Sequence, residues 1–290
     1  MTGTVSQYVA NIDNLPVLPE IAQKVIALAD APRPNIAELA DLIQKDLSIT
    51  ANIFKLINSG YFSLRREIAD VRQAVVLLGL QQVRNLVVTM VSVNHFEEPP
   101  GSPLKLANFW DHCLGVATIT QSLAQRFKFG EAPNLYLAAL LHDVGKIIIQ
   151  CHYPDDLSQI VDYMEQNHCA MVQAEQAILG FTHAEIGGVL AEKWQLPSSV
   201  CEAITYHHQC QKANDHVFAA ILQFADFITK GRLQAVYGDQ FTDVVFDDEP
   251  CWKILKQRFA AQNIDFERLL LEMDDEIDKA RELVRQARGS

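Results

Sequence analysis

A chain of 290 residues with 49% apolar and 21% charged content has the profile of a globular protein, long enough for one large domain or two ordinary ones with an ample core. Its formal net charge of −12 excludes a generic nucleic-acid backbone binder, which needs a basic face. An anionic substrate remains open only where metal ions or local lysines supply positive charge.

No lysine or arginine precedes Lys24 and no apolar stretch follows, so a secretory leader is not expected. The six cysteines (113, 151, 169, 201, 210, 251) form no C-x-x-C pair, which suggests a reduced, cytoplasmic protein whose cysteines are small core residues. Pro16 and Pro19 introduce a helical stripe at Leu18, Ile21, Ala22, Val25, Ile26 and Ala29. Asn35 to Glu38 resembles a capping box that opens a second helix on Ile36, Leu39, Ala40 and Ile43. Ser48 is the expected cap of a third, with Ile49, Ile53, Leu56 and Ile57, ending at Asn58-Ser59-Gly60. Asp70 caps a fourth that stops at Gly79, and Val83, Leu86, Val87, Met90 and Val91 mark a fifth. The run 74–91 is the most apolar, but Gln81, Gln82, Arg84 and Asn85 interrupt it, so a core helix pair is expected and a membrane span is not.

Residues 96–105, with Glu97, Glu98, Pro99, Pro100, Gly101 and Pro103, break in composition with both sides and are the expected linker. Helical patterns resume over 106–127, 134–150, 157–168, 171–179, 183–194, 197–208 and 217–230. An acidic, irregular stretch follows from Tyr237 to Pro250. The last helix has a seam at Phe266, Leu270, Met273, Ile277, Ala280, Val284 and Ala287, spaced to cover its own domain or to pair with a second copy. The expected class is all-α, divided into an N-terminal helical part (1–98), a second helical part (104–235) and a C-terminal loop and helix (236–290).

The second half places polar residues where the pattern is apolar. His142 and Asp143 interrupt Ala139-Leu140-Leu141 and Val144, with Lys146 three residues beyond Asp143. His112 lies on the helix of Leu114, Val116 and Ile119, His183 opens a helix, and His207 and His208 close one. Asp226 sits within Ile221-Leu222-Gln223-Phe224-Ala225 and Phe227-Ile228. Any one of these alone is most simply a hydrogen-bonded core residue. As a set, five histidines and two aspartates on helices of one half match the way ligands converge in di-metal bundles. Seven ligands exceed the need of one ion, so two bridged ions are expected, with Asp143 as the bridge. Imidazole and carboxylate suit iron or manganese, with zinc, nickel or magnesium also open. Lys146 could hold a phosphate oxygen or sit as a solvated helix-end lysine, and Asp111 could orient a ligand imidazole. His95, His152, His168 and His216 fall outside the set.

The run Leu141-His142-Asp143-Val144-Gly145-Lys146 resembles the signature of the HD superfamily of metal-dependent phosphohydrolases. His112, His183, the His207-His208 pair and Asp226 follow in the order of its binuclear branch, related to the HD-GYP cyclic-dinucleotide phosphodiesterases. Residues 12 to about 230 resemble the HDOD domain, a bacterial signalling module, through Leu15-Pro16-Val17-Leu18-Pro19, Lys45-Asp46-Leu47-Ser48, Ile57-Asn58-Ser59-Gly60-Tyr61-Phe62 and Ala74 to Leu80. The resemblance implies an HD-type helical bundle with an N-terminal helical subdomain. HDOD domains commonly lack much of the ligand set, which this chain retains. Gln209-Cys210-Gln211-Lys212 stands where HD-GYP enzymes carry a Gly-Tyr-Pro loop.

Two functions follow as expectations. One is a phosphohydrolase or phosphodiesterase acting on a phosphorylated small molecule or nucleotide, with Asp143 and Lys146 at the reacting centre. The other is a signalling adaptor that binds a protein partner and keeps a structural or vestigial metal site. Neither needs a membrane, and the C-terminal seam offers a route to a homodimer.

Overall fold

Caps and breaks in the sequence set the helix boundaries of the computed structural model, which describes residues 4–12, 15–58, 68–129, 134–232, 246–260, 268–269, 271–273 and 275–278. All regular structure among them is helical: fifteen α-helices and two short 3-10 turns, with no strand. The chain divides into two compact units, one of Met1–Leu15 and Glu98–Asp278, the other of Pro16–Glu97.

The first helix, α1 (Val5–Ala10), starts at a reciprocal cap between Thr4 and Gln7 and belongs to the larger unit. The smaller unit holds α2 (Glu20–Ala29), α3 (Ile36–Gln44), α4 (Leu47–Ile57), α5 (Val71–Leu78) and α6 (Leu80–Val93). Asn35 caps α3 by accepting from the amides of Ala37 and Glu38, and Asp70 caps α5 through the amide of Arg72. The cap of α4 is Asp46 rather than Ser48: its carboxylate accepts the Ile49 amide at 3.0 Å, and Ser48 lies inside the helix. A carboxylate is the better partner there because it also meets the positive end of the helix dipole. At Gly79, φ of +87° lets α5 and α6 meet at 119°, and no single helix among the described residues is long and apolar enough to cross a membrane.

The larger unit continues with α7 (Leu106–Arg126), α8 (Leu135–Leu141), α9 (Val144–His152), α10 (Pro154–Asn167), α11 (Met171–Ile178), α12 (His183–Lys193), α13 (Ser198–Tyr206), α14 (His216–Arg232) and α15 (Pro250–Arg258). Helix α7 packs on α8 and α14, while α12 lies against α9 and α13. Helix α15, outside the helical patterns expected from the sequence, covers α14 by stacking Trp252 on Phe224. Within 96–105, Leu104 is fixed: Gln150 donates to its carbonyl and accepts from its amide. Met273 and Ile277 of the C-terminal seam are buried, as is Leu269, whereas Phe266, Leu270, Ala280, Val284, Ala287 and residues 237–245 lie outside the described residues. All six cysteines are free, four of them buried.

One departure shapes the site. The pattern over 134–150 reads as a single helix, but the structure breaks it into α8 and α9 at His142 and Asp143. Asp143 (φ −96°, ψ 5°) leaves helical geometry, and its carbonyl accepts the Lys146 amide at 2.8 Å as α9 begins. A continuous helix would point these two side chains about 100° apart; the break lets both face one centre.

Candidate metal centre

Five segments of the larger unit deliver seven side chains to one buried place. His112 comes from α7, His142 and Asp143 from the α8–α9 break, and His183 from the first position of α12. His207 and His208 follow α13, and Asp226 comes from α14. Thr182 and Glu185 cap α12 reciprocally, which fixes where His183 begins it. Close backbone approach does the rest. At Gly145 a side-chain carbon would overlap the His183 carbonyl oxygen and sit 2.8 Å from its carbon, and at Gly188 it would run into the Thr205 hydroxyl. These two glycines let α9 and α13 press onto α12 and bring their ligand atoms together.

The ligand atoms form two groups that share Asp143, each with all its atoms within 4.8 Å of one another: His112, His142 and Asp143; and Asp143, His183, His207 and His208. Asp143 turns one oxygen to each group. Its Oδ2 lies 3.6 and 3.4 Å from the Nε2 atoms of His112 and His142, while its Oδ1 lies 3.1 and 3.6 Å from those of His183 and His207. Asp226 Oδ1 adds to the first group, 3.1 Å from His112 Nε2 and 3.8 Å from His142 Nε2.

The outer nitrogens decide the protonation of the inner ones. His142 Nδ1 donates to the Ala139 carbonyl and His207 Nδ1 to the Ile204 carbonyl, both at 2.7 Å. His183 Nδ1 donates to Glu175, 2.7 and 2.9 Å from its two oxygens. A nitrogen that donates outward leaves its partner nitrogen as a bare lone pair in the neutral ring. Inner ring nitrogens and carboxylate oxygens thus face one another: His112 Nε2 and His142 Nε2 at 3.3 Å, His208 Nε2 and His183 Nε2 at 3.0 Å. Asp143 Oδ1, Asp226 Oδ1 and His207 Nε2 are buried without a hydrogen-bond partner. Acceptors crowded this way need protons or cations between them. The donor set therefore fits metal ions.

The profile of the HDOD domain matches residues 15–210. The chain belongs to the HDOD family. It is similar over 98% of its length to an HDOD domain protein of unknown function from Geobacter sulfurreducens, at 30% identity and a TM-score of 0.85, covering 96% of that chain. A structure of a candidate phosphohydrolase from Shewanella amazonensis SB2B shares the fold, with 23% identity, a TM-score of 0.74 and 98% and 97% coverage of the two chains. An uncharacterised protein of Treponema pallidum (strain Nichols) is 24% identical over 208 residues; these are 70% of this chain but only 39% of that relative's length. Of the clustered residues, Asp226 lies beyond the matched HDOD span.

Burial and neighbouring charge together set the protonation of this HDOD centre. Burial, partly opposed by Asp226, lowers the pKa of His112; burial also holds His208 well below its usual range and brings His207 down to about 4. Burial works to raise both aspartates, yet His142 and Lys146 outweigh it at Asp143, and Lys230 and His112 at Asp226, leaving both well below the carboxylate range. Burial also opposes charge on His183, but Glu175 and Asp143 lift it to about 9. At neutral pH the aspartates are thus anionic, His112, His207 and His208 neutral, and His183 protonated.

Three features of the centre were left open or unread in the sequence. Lys146 is not a solvated lysine: it is 1% exposed, with Nζ 2.8 Å from Asp143 Oδ2. Lys230 was passed over, although it stands one turn after Asp226 and its Nζ lies 2.9 Å from Asp226 Oδ2. Glu175 was missed as the carboxylate behind His183; it is fully buried on α11, and an acid on the stripe of Met171, Ala174 and Ile178 is the signal the sequence offers. Asp111, expected in such a role, is half-buried on α7. His95, His152, His168 and His216 belong to neither ligand group.

Proposed function

We propose that this HDOD protein is a metal-dependent phosphohydrolase with a binuclear centre. The observation that carries the reading is the division of labour at Asp143, one oxygen toward each group of imidazoles. In this reading His112, His142, Asp143 and Asp226 hold one ion and Asp143, His183, His207 and His208 the other, with iron or manganese suited to the mixture of nitrogen and oxygen donors. Such ions, when bound, supply Lewis-acid charge for phosphoryl oxygens and a water acidic enough to attack phosphorus near neutral pH.

The chain's own side chains do the remaining work. Asp143 keeps the two positions at a fixed spacing. Glu175, through Nδ1, holds the His183 ring in one tautomer and orientation. Lys146, anchored on Asp143 Oδ2, puts an ammonium group beside the reacting centre, where it can hold a phosphoryl oxygen or meet the charge of the leaving group. Burial of the cluster excludes bulk water and strengthens each of these interactions. The candidate phosphohydrolase from Shewanella supports the reading only through its fold. The substrate class is a phosphorylated small molecule or nucleotide.

An adaptor role for the smaller unit is the second reading, supported by its exposed apolar residues Leu47 (82% exposed), Val76 and Leu77. Metal analysis and a panel of phosphomonoesters and phosphodiesters separate the two. Two equivalents per chain, with turnover abolished in Asp143→Asn, support the hydrolase. Background turnover by fully metal-loaded protein rejects it and leaves the adaptor.

A further inference from the structure

Two lysines bring positive charge to the place where metal ions would also sit. Lys146 is 1% exposed and the Lys230 side chain 6%, a rare condition for a residue that carries its charge into the core. Each ammonium group rests on the Oδ2 of one of the two clustered aspartates, at 2.8 Å on Asp143 and 2.9 Å on Asp226. Both pairs are delivered by local helix geometry, at i,i+3 and i,i+4. Around them stand Glu175, Asp143 and Asp226 as the buried acids and five imidazoles.

Beside a divalent cation an ammonium group is repelled, and the repulsion grows as water is excluded. Without a cation the same group is what allows a buried carboxylate to stay ionised and the helices to stay packed. The same lysine therefore opposes the ion and supports the empty centre.

We propose that Lys146 and Lys230 are internal counter-cations that give this protein a folded metal-free state and hold its ion affinity down, so that occupancy of the centre follows metal supply. The inference rests on the binuclear reading above and adds its regulation: the metal-free form is a state of the working protein rather than a denatured one. Lys230 is the cleaner probe, since Lys146 already has a role toward phosphate. It also lies beyond the HDOD match, one turn after Asp226 on α14.

The experiment compares wild-type protein, Lys230→Met and the double variant Asp226→Asn/Lys230→Met. Each is stripped with chelator, followed by thermal unfolding, and titrated with Mn²⁺ by calorimetry. Metal-free Lys230→Met should unfold at lower temperature than wild type, bind Mn²⁺ at least about tenfold more tightly, and gain more in melting temperature on loading. The double variant, which removes both buried charges, should recover most of the metal-free melting temperature even if the single variant is unfolded without metal. Unchanged or weaker Mn²⁺ affinity in Lys230→Met overturns the inference, as does a metal-free form as stable as wild type, or a double variant that recovers nothing. If wild type takes up Mn²⁺ and only the lysine effects fail, the binuclear reading stands without this regulation. No uptake of Mn²⁺, Fe²⁺ or Zn²⁺ by wild type overturns both.

Discussion

Replacing Gly145 by alanine tests the packing that assembles the centre. The new methyl carbon would overlap the His183 carbonyl oxygen, lie 2.8 Å from the carbonyl carbon and 3.0 Å from the Gly187 nitrogen. All three are backbone atoms, so no rotamer change relieves the clash. Ordinary contact requires α9 and α12 to part by roughly 1 Å or more. Overpacking of this kind costs about 3 kcal/mol, the upper end of the usual range, because rigid helices must move rather than flexible side chains. For a domain of roughly 150–250 residues that corresponds to a fall of about 6–12 °C in melting temperature. The same movement separates Asp143 from His183, whose Oδ1 and Nε2 now lie 3.1 Å apart. Metal sites tolerate only about 0.5 Å of such error, so uptake by the His183 group should weaken as well. Thermal unfolding together with metal analysis of the folded fraction reads both effects. Gly231→Ala, in open space on α14, is the control and should be neutral or slightly stabilising. A Gly145→Ala protein with wild-type melting temperature and full metal content would show that close approach of α9 and α12 does not assemble the site.

Three further outcomes follow. Asp143→Asn should lose both ions, whereas His208→Ala should lose only one, because one residue serves both groups and the other a single group; quantitative metal analysis distinguishes them. Glu175→Gln removes the carboxylate that orients His183 and should lower affinity for one ion by about 10–100-fold, measured by competition with a chelator of known affinity; an unchanged constant would deny Glu175 that role. Asp46→Ala should cost about 1 kcal/mol of stability in chemical denaturation while Ser48→Ala costs almost nothing, the reverse of what the sequence pattern suggests.

Much of the helix content was legible because its signals are local. The apolar stripes of α2 and α3, the Asp70 cap and the Gly79 stop depend on residues within one or two turns, and the structure has them where the pattern puts them. The errors are local as well. Ser48 and Asp46 are both good caps two residues apart, and only the amide geometry chooses between them. The run 134–150 is largely apolar on both sides of His142 and Asp143, so nothing in its periodicity marks the break there. The buried lysines were harder to read, since a lysine in sequence suggests solvent until its partner is known.

Sequence by itself determined that this is an all-α HDOD chain and that its second half carries histidines and aspartates in settings too apolar for surface residues. Chain order also singled out Asp143 among them. Tertiary structure alone decided that residues as far apart as His112 and Asp226 meet at 3.1 Å, that Asp143 divides its oxygens between two groups, and that Glu175, Lys146 and Lys230 complete the charge balance. The reason is physical: helix formation is governed by neighbours in the chain, whereas the cost of burying charge is settled by whichever helices pack together, and that packing depends on small residues such as Gly145 and Gly188 that carry no charge at all.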